Sequence, residues 1–215
     1  MKPLELYKPL KWWYEGQQFG QDTVCTNNKG ELVTGSGAGI CPAGFVSFYQ
    51  KMGLKGHDGL DVGLDMWQPV YASTDGTIIE TSVDINRGMG VVLLTDEKYF
   101  FEGGDYYAQT LYWHFSGVNV KQGQKVRIGD LIGWGGMTGK ATGPHLHYLL
   151  KAKLYDTLGN LYSVFQNNGF NGALDPKPHL QKQSAYELKT SLDKLKDSLA
   201  ELASKLQDYL LKKPA

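Results

Sequence analysis

The chain has 215 residues, enough for one ordinary domain, or one domain with an appendage, and enough to bury a core without metal or disulfide support. Lysine plus arginine and aspartate plus glutamate number 22 each, and this neutral balance argues against nucleic acid or an anionic membrane as the main partner. The 27 glycines are nearly twice the usual share of roughly 7% and suggest many tight turns between short strands. No run approaches the ~20 apolar residues that span a bilayer, so no integral membrane segment is expected. Glu5, Lys8 and Lys11 interrupt the first twenty residues, so no signal peptide is expected there either.

Taken in order, Cys25 and Cys41 bracket a Gly-rich segment and would close a small surface loop. Spacing leaves two readings open: a disulfide worth about 3 kcal/mol, or two thiols in a reducing compartment. Residues 69–81 read as two short strands around Asp75-Gly76. Residues 91–95, 109–116 and 145–153 read as strands on β-branched, aromatic and apolar content. Residues 150–163 read as a hairpin turning at Gly159-Asn160. No helical period persists over three turns before residue 183, so the class is mainly β.

The character changes after residue 183. Ser184 and Glu187 have capping-box spacing, and leucines follow at 188, 192, 195, 199, 202 and 206. Lys212-Lys213-Pro214 should end that helix. Two units are expected: a domain over 1–183 and an amphipathic leucine-heptad helix over 184–215. The narrow seam suggests self-association or partner docking through 184–211.

Four of the five histidines fall in chemically pointed places. His57 and Asp61 form H-x-x-x-D within GHDGLD. His145 and His147 form H-x-H in an apparent strand, where residues i and i+2 share a face, with Leu146 on the other. His114 sits in another strand. Catalytic zinc takes three nitrogen or oxygen ligands and keeps one position open, so His57, Asp61 and His147 would make a His₂Asp set for one Zn²⁺. His114 and His145 would stand beside the open position. His179, next to two prolines, reads as a packing or surface residue. The glycines of 133–139 read as turns, because no phosphate-loop G-K-[ST] follows. The aromatics at 99–101 and 106–107 read mostly as packing.

These segments resemble the LytM/lysostaphin-type zinc metalloendopeptidases, which cut peptidoglycan. Gln18-Phe19-Gly20 resembles the family's opening strand, GHDGLDV (56–62) its first metal motif, and PVYASTDGTI (69–78) the stretch that follows. Residues 111–150 match almost without a gap, and ALDPKPHL (173–180) resembles the closing segment. The resemblance implies a compact antiparallel β fold, zinc on His57, Asp61 and His147, and catalytic roles for His114 and His145. Two departures stand out. Gln21 occupies a position where the family commonly has arginine, and an insertion over 22–51 carries both cysteines.

The implied function is zinc-dependent hydrolysis of peptide bonds in peptidoglycan stems or cross-bridges. The implied place of action is the cell wall: extracellular, periplasmic or on a phage virion, as in an endolysin. The alternative is a non-catalytic scaffold or activator of the same fold, or a structural phage component.

Overall fold

The computed structural model describes residues 1–36 and 39–211. In chain order the strands are β1 (Leu6–Lys8), β2 (Tyr14–Glu15), β3 (Val24–Thr26), β4 (Leu32–Thr34) and β5 (Val46–Ser47), then a one-turn helix α1 (Phe48–Lys51). Next come β6 (Leu60–Gly63), β7 (Pro69–Tyr71), β8 (Gly76–Asp84), β9 (Gly88–Phe101) and β10 (Gly104–Phe115). The remainder are β11 (Gly117–Val118), β12 (Lys125–Val126), β13 (Leu131–Trp134), β14 (His145–Tyr155), β15 (Leu161–Ser163), β16 (Ala173–Leu174), β17 (Leu180–Ser184) and the helix α2 (Ala185–Leu211). The mainly-β expectation holds, including the hairpin whose strands β14 and β15 pair across the Asp156–Asn160 turn.

A nine-stranded antiparallel sheet in the order β12-β8-β9-β10-β14-β6-β2 forms the body, with β15 and β16 also paired to β14. Alternation along β14 separates its two faces. Leu146, Tyr148, Leu150 and Ala152 enter the main apolar core with Leu60, Val62 and Tyr112. The opposite face carries His145, His147 and Leu149, and Leu149 packs in a smaller cluster with Val92, Leu111 and Trp113. One face is therefore buried scaffold, and the other is the floor of a groove.

Inside the main core, Ser73 Oγ lies 2.6 Å from the Tyr112 hydroxyl and 2.8 Å from the Tyr148 hydroxyl, so two fully buried phenols meet at one small residue. Burial pushes both phenols up, and they stay neutral.

Gln18-Phe19-Gly20, expected as a strand, is a turn. Gly20 has φ +78°, in the left-handed region that glycine tolerates, and the Gln21 amide donates to the Gln18 carbonyl. The edge strand beside β6 is instead β2, where Tyr14 and Glu15 pair with Gly63 and Val62.

Residues 22–51 fold on themselves as a small sheet, β4-β3-β5, closed by α1 and by a disulfide between Cys25 and Cys41. The buried Asp22 carboxylate accepts from Ser47 Oγ and from Gln50 Nε2. At the far end of the chain, β17 pairs parallel with β1 and leads into α2. The capping box forms: the Ser184 amide donates to the Glu187 carboxylate, and the Glu187 amide donates to Ser184 Oγ. The N-terminal end of α2 is anchored by the Lys189–Asp130 ion pair and by Tyr186 against Tyr71. Every residue from 191 to 207 is exposed, including the leucines at 192, 195, 199, 202 and 206. The expected stop at Lys212-Lys213-Pro214 lies outside the described residues.

Candidate metal centre

His57, Asp61 and His147 converge from two adjacent strands and the turn before one of them. In the β14–β6 register His147 stands opposite Asp61, and the GHDG segment leads His57 back over the pair. His57 Nε2 lies 3.1 Å from Asp61 Oδ1 and 2.8 Å from His147 Nδ1, and His147 Nδ1 lies 3.0 Å from Asp61 Oδ1. Ligands about 2.0 Å from one tetrahedral zinc stand about 3.3 Å apart, so the three atoms need to spread only slightly to take an ion. Among the described residues this is the group of His, Cys, Asp and Glu whose ligand atoms gather closely enough to hold a metal.

The outer nitrogens of both ligand histidines are occupied. His57 Nδ1 donates to the Gln18 carbonyl at 3.2 Å, which leaves the Nε2 lone pair facing the cluster. The Gln18–Gly20 turn makes that contact possible. His147 Nε2 lies 3.3 Å from Asp58 Oδ1, which leaves its Nδ1 facing inward. With both rings neutral, two inward lone pairs and one carboxylate oxygen meet here, a donor set suited to a cation. Burial alone would raise the Asp61 carboxyl, but the charges and hydrogen bonds of His57 and His147 hold it well below the usual range.

His145 follows from the strand period, two residues before His147 on the same face, with Nε2 3.6 Å from Asp61 Oδ1. Its Nδ1 lies 2.8 Å from the Gly143 carbonyl. His114 comes from the end of β10, its ring centre 4.5 Å from that of His145. It has φ +67°, a strained conformation for a non-glycine residue, at a register shift between Tyr112 and Phe115. Two bonds hold it there: its amide donates to the Arg87 carbonyl, and its Nδ1 donates to the Thr138 carbonyl at 2.7 Å. Its Nε2 therefore carries a free lone pair. Burial, then the charges of His145 and His147, push His114 down to about 3, so it stays neutral near pH 7.

All five residues expected from the sequence thus line one cleft, and His179 lies elsewhere, against Phe101 and Glu102. The insertion supplies one wall through Val24, Leu32, Phe48 and Tyr49. Asp58 and Arg87 were not singled out by sequence. Asp58 is buried beneath His147 and paired with Arg87, its carboxyl held low against the burial that would raise it by His147, Arg87 and His57. Its position inside the H-x-x-x-D motif was the available signal. Arg87 is 29 residues away and carried none. Gly59 is required here because a Cβ would meet His147 Cε1 at 2.7 Å and the Tyr148 carbonyl at 2.8 Å.

The model of "Peptidase family M23" matches residues 55–157, a stretch holding all five residues. Residues 55–157 form a peptidase family M23 domain. M23 peptidases are zinc enzymes, and the His57, Asp61 and His147 group is a set that can hold the ion.

The peptidoglycan DD-endopeptidase ShyA of Vibrio cholerae is 40% identical over 94 residues, 44% of this chain and 20% of that protein. The glycyl-glycine endopeptidase ALE-1 of Staphylococcus capitis is 33% identical over 132 residues, 60% of this chain and 31% of that protein. The chain thus spans a fifth to a third of the length of these curated relatives. The lysostaphin catalytic domain of Staphylococcus simulans superposes with TM-score 0.48 at 23% identity, over 77% of this chain and 90% of that one. A chain of the SpoIIQ–SpoIIIAH pore-forming complex gives 0.51 at 17% identity, over 84% and 93%, a likeness of fold alone.

Proposed function

We propose that this protein is a zinc-dependent endopeptidase that hydrolyses peptide bonds in peptidoglycan. The observation that carries the reading is the pairing of an inward-facing His₂Asp set with two further histidines whose Nδ1 atoms are held by carbonyls. ShyA and ALE-1, named for cutting peptidoglycan and glycyl-glycine bonds, support the substrate class. Zinc on His57, Asp61 and His147 supplies a Lewis acid that brings the pKa of water down to ~7 and polarises a scissile carbonyl.

The remaining chemistry belongs to the side chains. His114, neutral and with Nε2 free, takes a proton from the attacking water and returns it to the leaving amine. His145, its Nδ1 likewise held by a carbonyl, presents a second Nε2 aimed before the reaction begins, and whichever of the two rings has taken the water's proton donates it towards the oxyanion that develops on the carbonyl. The wall of Val24, Leu32, Phe48 and Tyr49 excludes water from one side of the cleft and bears on which peptide enters. Action is at the cell wall, whether outside a cell, in a periplasm or on a virion. The test is digestion of sacculi of several cross-link chemistries, with fragments read by mass spectrometry. New amino termini that depend on zinc are expected, and intact sacculi throughout would favour a non-catalytic role.

Residues 1–183 act as the catalytic unit, and 184–211 as an association device. Five leucines of one stripe are exposed, at heptad spacing. Within 185–211 four lysines face five carboxylates, which does not suit adsorption to an anionic membrane. A second copy of the same helix, packed in parallel, covers the stripe without bringing lysine against lysine.

A further inference from the structure

We propose that Asp58 and Arg87 are a positioning pair that fixes the ring and tautomer of His147 as a metal ligand. The proposal rests on the reading of His57, Asp61 and His147 as a zinc set. A neutral imidazole has one N–H, and whichever nitrogen carries it cannot bind a metal. The His147 ring is buried, and Asp58 Oδ1 lies 3.3 Å from its Nε2. An ionised carboxylate only accepts, so this contact keeps the proton on Nε2 and turns the Nδ1 lone pair toward His57 and Asp61.

Asp58 needs a partner of its own, because its side chain is only 5% exposed. Arg87 Nη2 reaches the second oxygen, Oδ2, so both carboxylate oxygens are engaged and Asp58 cannot turn away from the ring. Arg87 is fixed in turn: its amide donates to Asp84 Oδ1 at 2.7 Å, and its guanidinium lies over the Trp113 ring. The same residue's carbonyl accepts from the strained His114 amide. One short segment thus sets the metal ligand through its side chain and the neighbouring histidine through its backbone.

The experiment compares wild type, Asp58→Ala, Asp58→Asn, Arg87→Met and the Asp58→Ala/Arg87→Met double variant. Zinc affinity is measured by competition with a chromophoric chelator, and ligand geometry by the visible spectrum of the cobalt(II)-substituted protein. Asp58→Ala should bind zinc roughly 10–100-fold more weakly and change the cobalt spectrum. Asp58→Asn retains an acceptor oxygen and should lose less. Arg87 acts through Asp58, so the double variant should be no weaker than Asp58→Ala alone. Zinc affinity of Asp58→Ala within twofold of wild type overturns the proposal, and additive losses overturn the route from Arg87. Should Asp58→Ala fail to fold by circular dichroism, Asp58→Asn and Arg87→Met decide by the same spectrum: an unchanged band in both overturns the pair. A wild-type chain that takes up no zinc overturns the metal reading itself, a different failure from any of these.

Discussion

His147 and Asp61 face one another across the β14–β6 pair, and His147 Nδ1 approaches Asp61 Oδ1 to 3.0 Å. Two of the three ligand candidates are therefore set by sheet register. Sliding β14 by one residue would turn His147 into the core and Leu146 into the cleft.

Replacing His57, Asp61 or His147 with alanine should cost metal and activity together. His114→Ala and His145→Ala keep the three ligand atoms, so zinc should stay near one per chain while turnover falls roughly 10²–10⁴-fold. Zinc by atomic emission, beside the rate on a peptidoglycan peptide, separates the two classes. Loss of zinc in His114→Ala comparable to that in His147→Ala would contradict the division of roles.

Metal uptake should depend on pH through His147. Burial alone would lower this ring in the metal-free protein, but hydrogen bonds and charge from Asp58 and Asp61 push it up to about 9. The proton's contribution to stability is complete below the unfolded value of about 6.5 and is lost as pH rises through about 9. Zinc competes with that proton, so apparent affinity should rise about tenfold per pH unit between about 7 and 9. Calorimetry at pH 7.5 in buffers of different ionisation heat should show about one proton released per zinc. No release would place the His147 value below neutrality.

The Cys25–Cys41 bridge should be intact in protein made under oxidising conditions, as non-reducing peptide mapping would show. Replacing both cysteines with serine should leave zinc content unchanged and cost about 3 kcal/mol or less, concentrated in the 22–51 wall. Hydrogen exchange should show faster opening there than in β9, β10 and β14. Uniform acceleration across the large sheet would contradict this localisation.

The core holds a polar knot at Ser73. Ser73→Ala removes the Oγ that the Tyr148 hydroxyl bonds, while Tyr112 keeps the residue-73 amide and Thr110, and should cost about 1–3 kcal/mol in urea unfolding. Tyr148→Phe removes one hydroxyl but leaves Ser73 paired with Tyr112, so it should cost less. The reverse order would show that the ring contact, and not the hydrogen bonding, dominates.

Light scattering should find the full chain larger than a monomer at micromolar concentration. Leu195→Glu with Leu199→Glu should return it to a monomer with zinc content unchanged, because both side chains are exposed. Equal masses for the two proteins would remove the self-association reading.

Local pattern made a large part of this molecule legible before any fold was known. Aromatic and apolar content specified the strand at 145–153, and the shared face of His145 and His147 followed, because the period of two is a property of the backbone. The capping box and leucine spacing specified α2 for the same local reason. Tertiary structure decided what depends on residues far apart in the chain. The cysteine spacing allowed a bridge or two thiols, and the fold of β3 and the loop to Cys41 chose the bridge. Gln18 lies in a turn because Gly20 takes a left-handed backbone and bonds the His57 carbonyl. The strained backbone of His114 is imposed by the 84–88 and 138–140 segments, which no short-range pattern couples to it. Asp58 is next to His57 in sequence, yet its partners Arg87 and His147 are 29 and 89 positions away. Only the packed sheet brings such charges within hydrogen-bond reach, because close contact between distant residues is what folding adds to a chain.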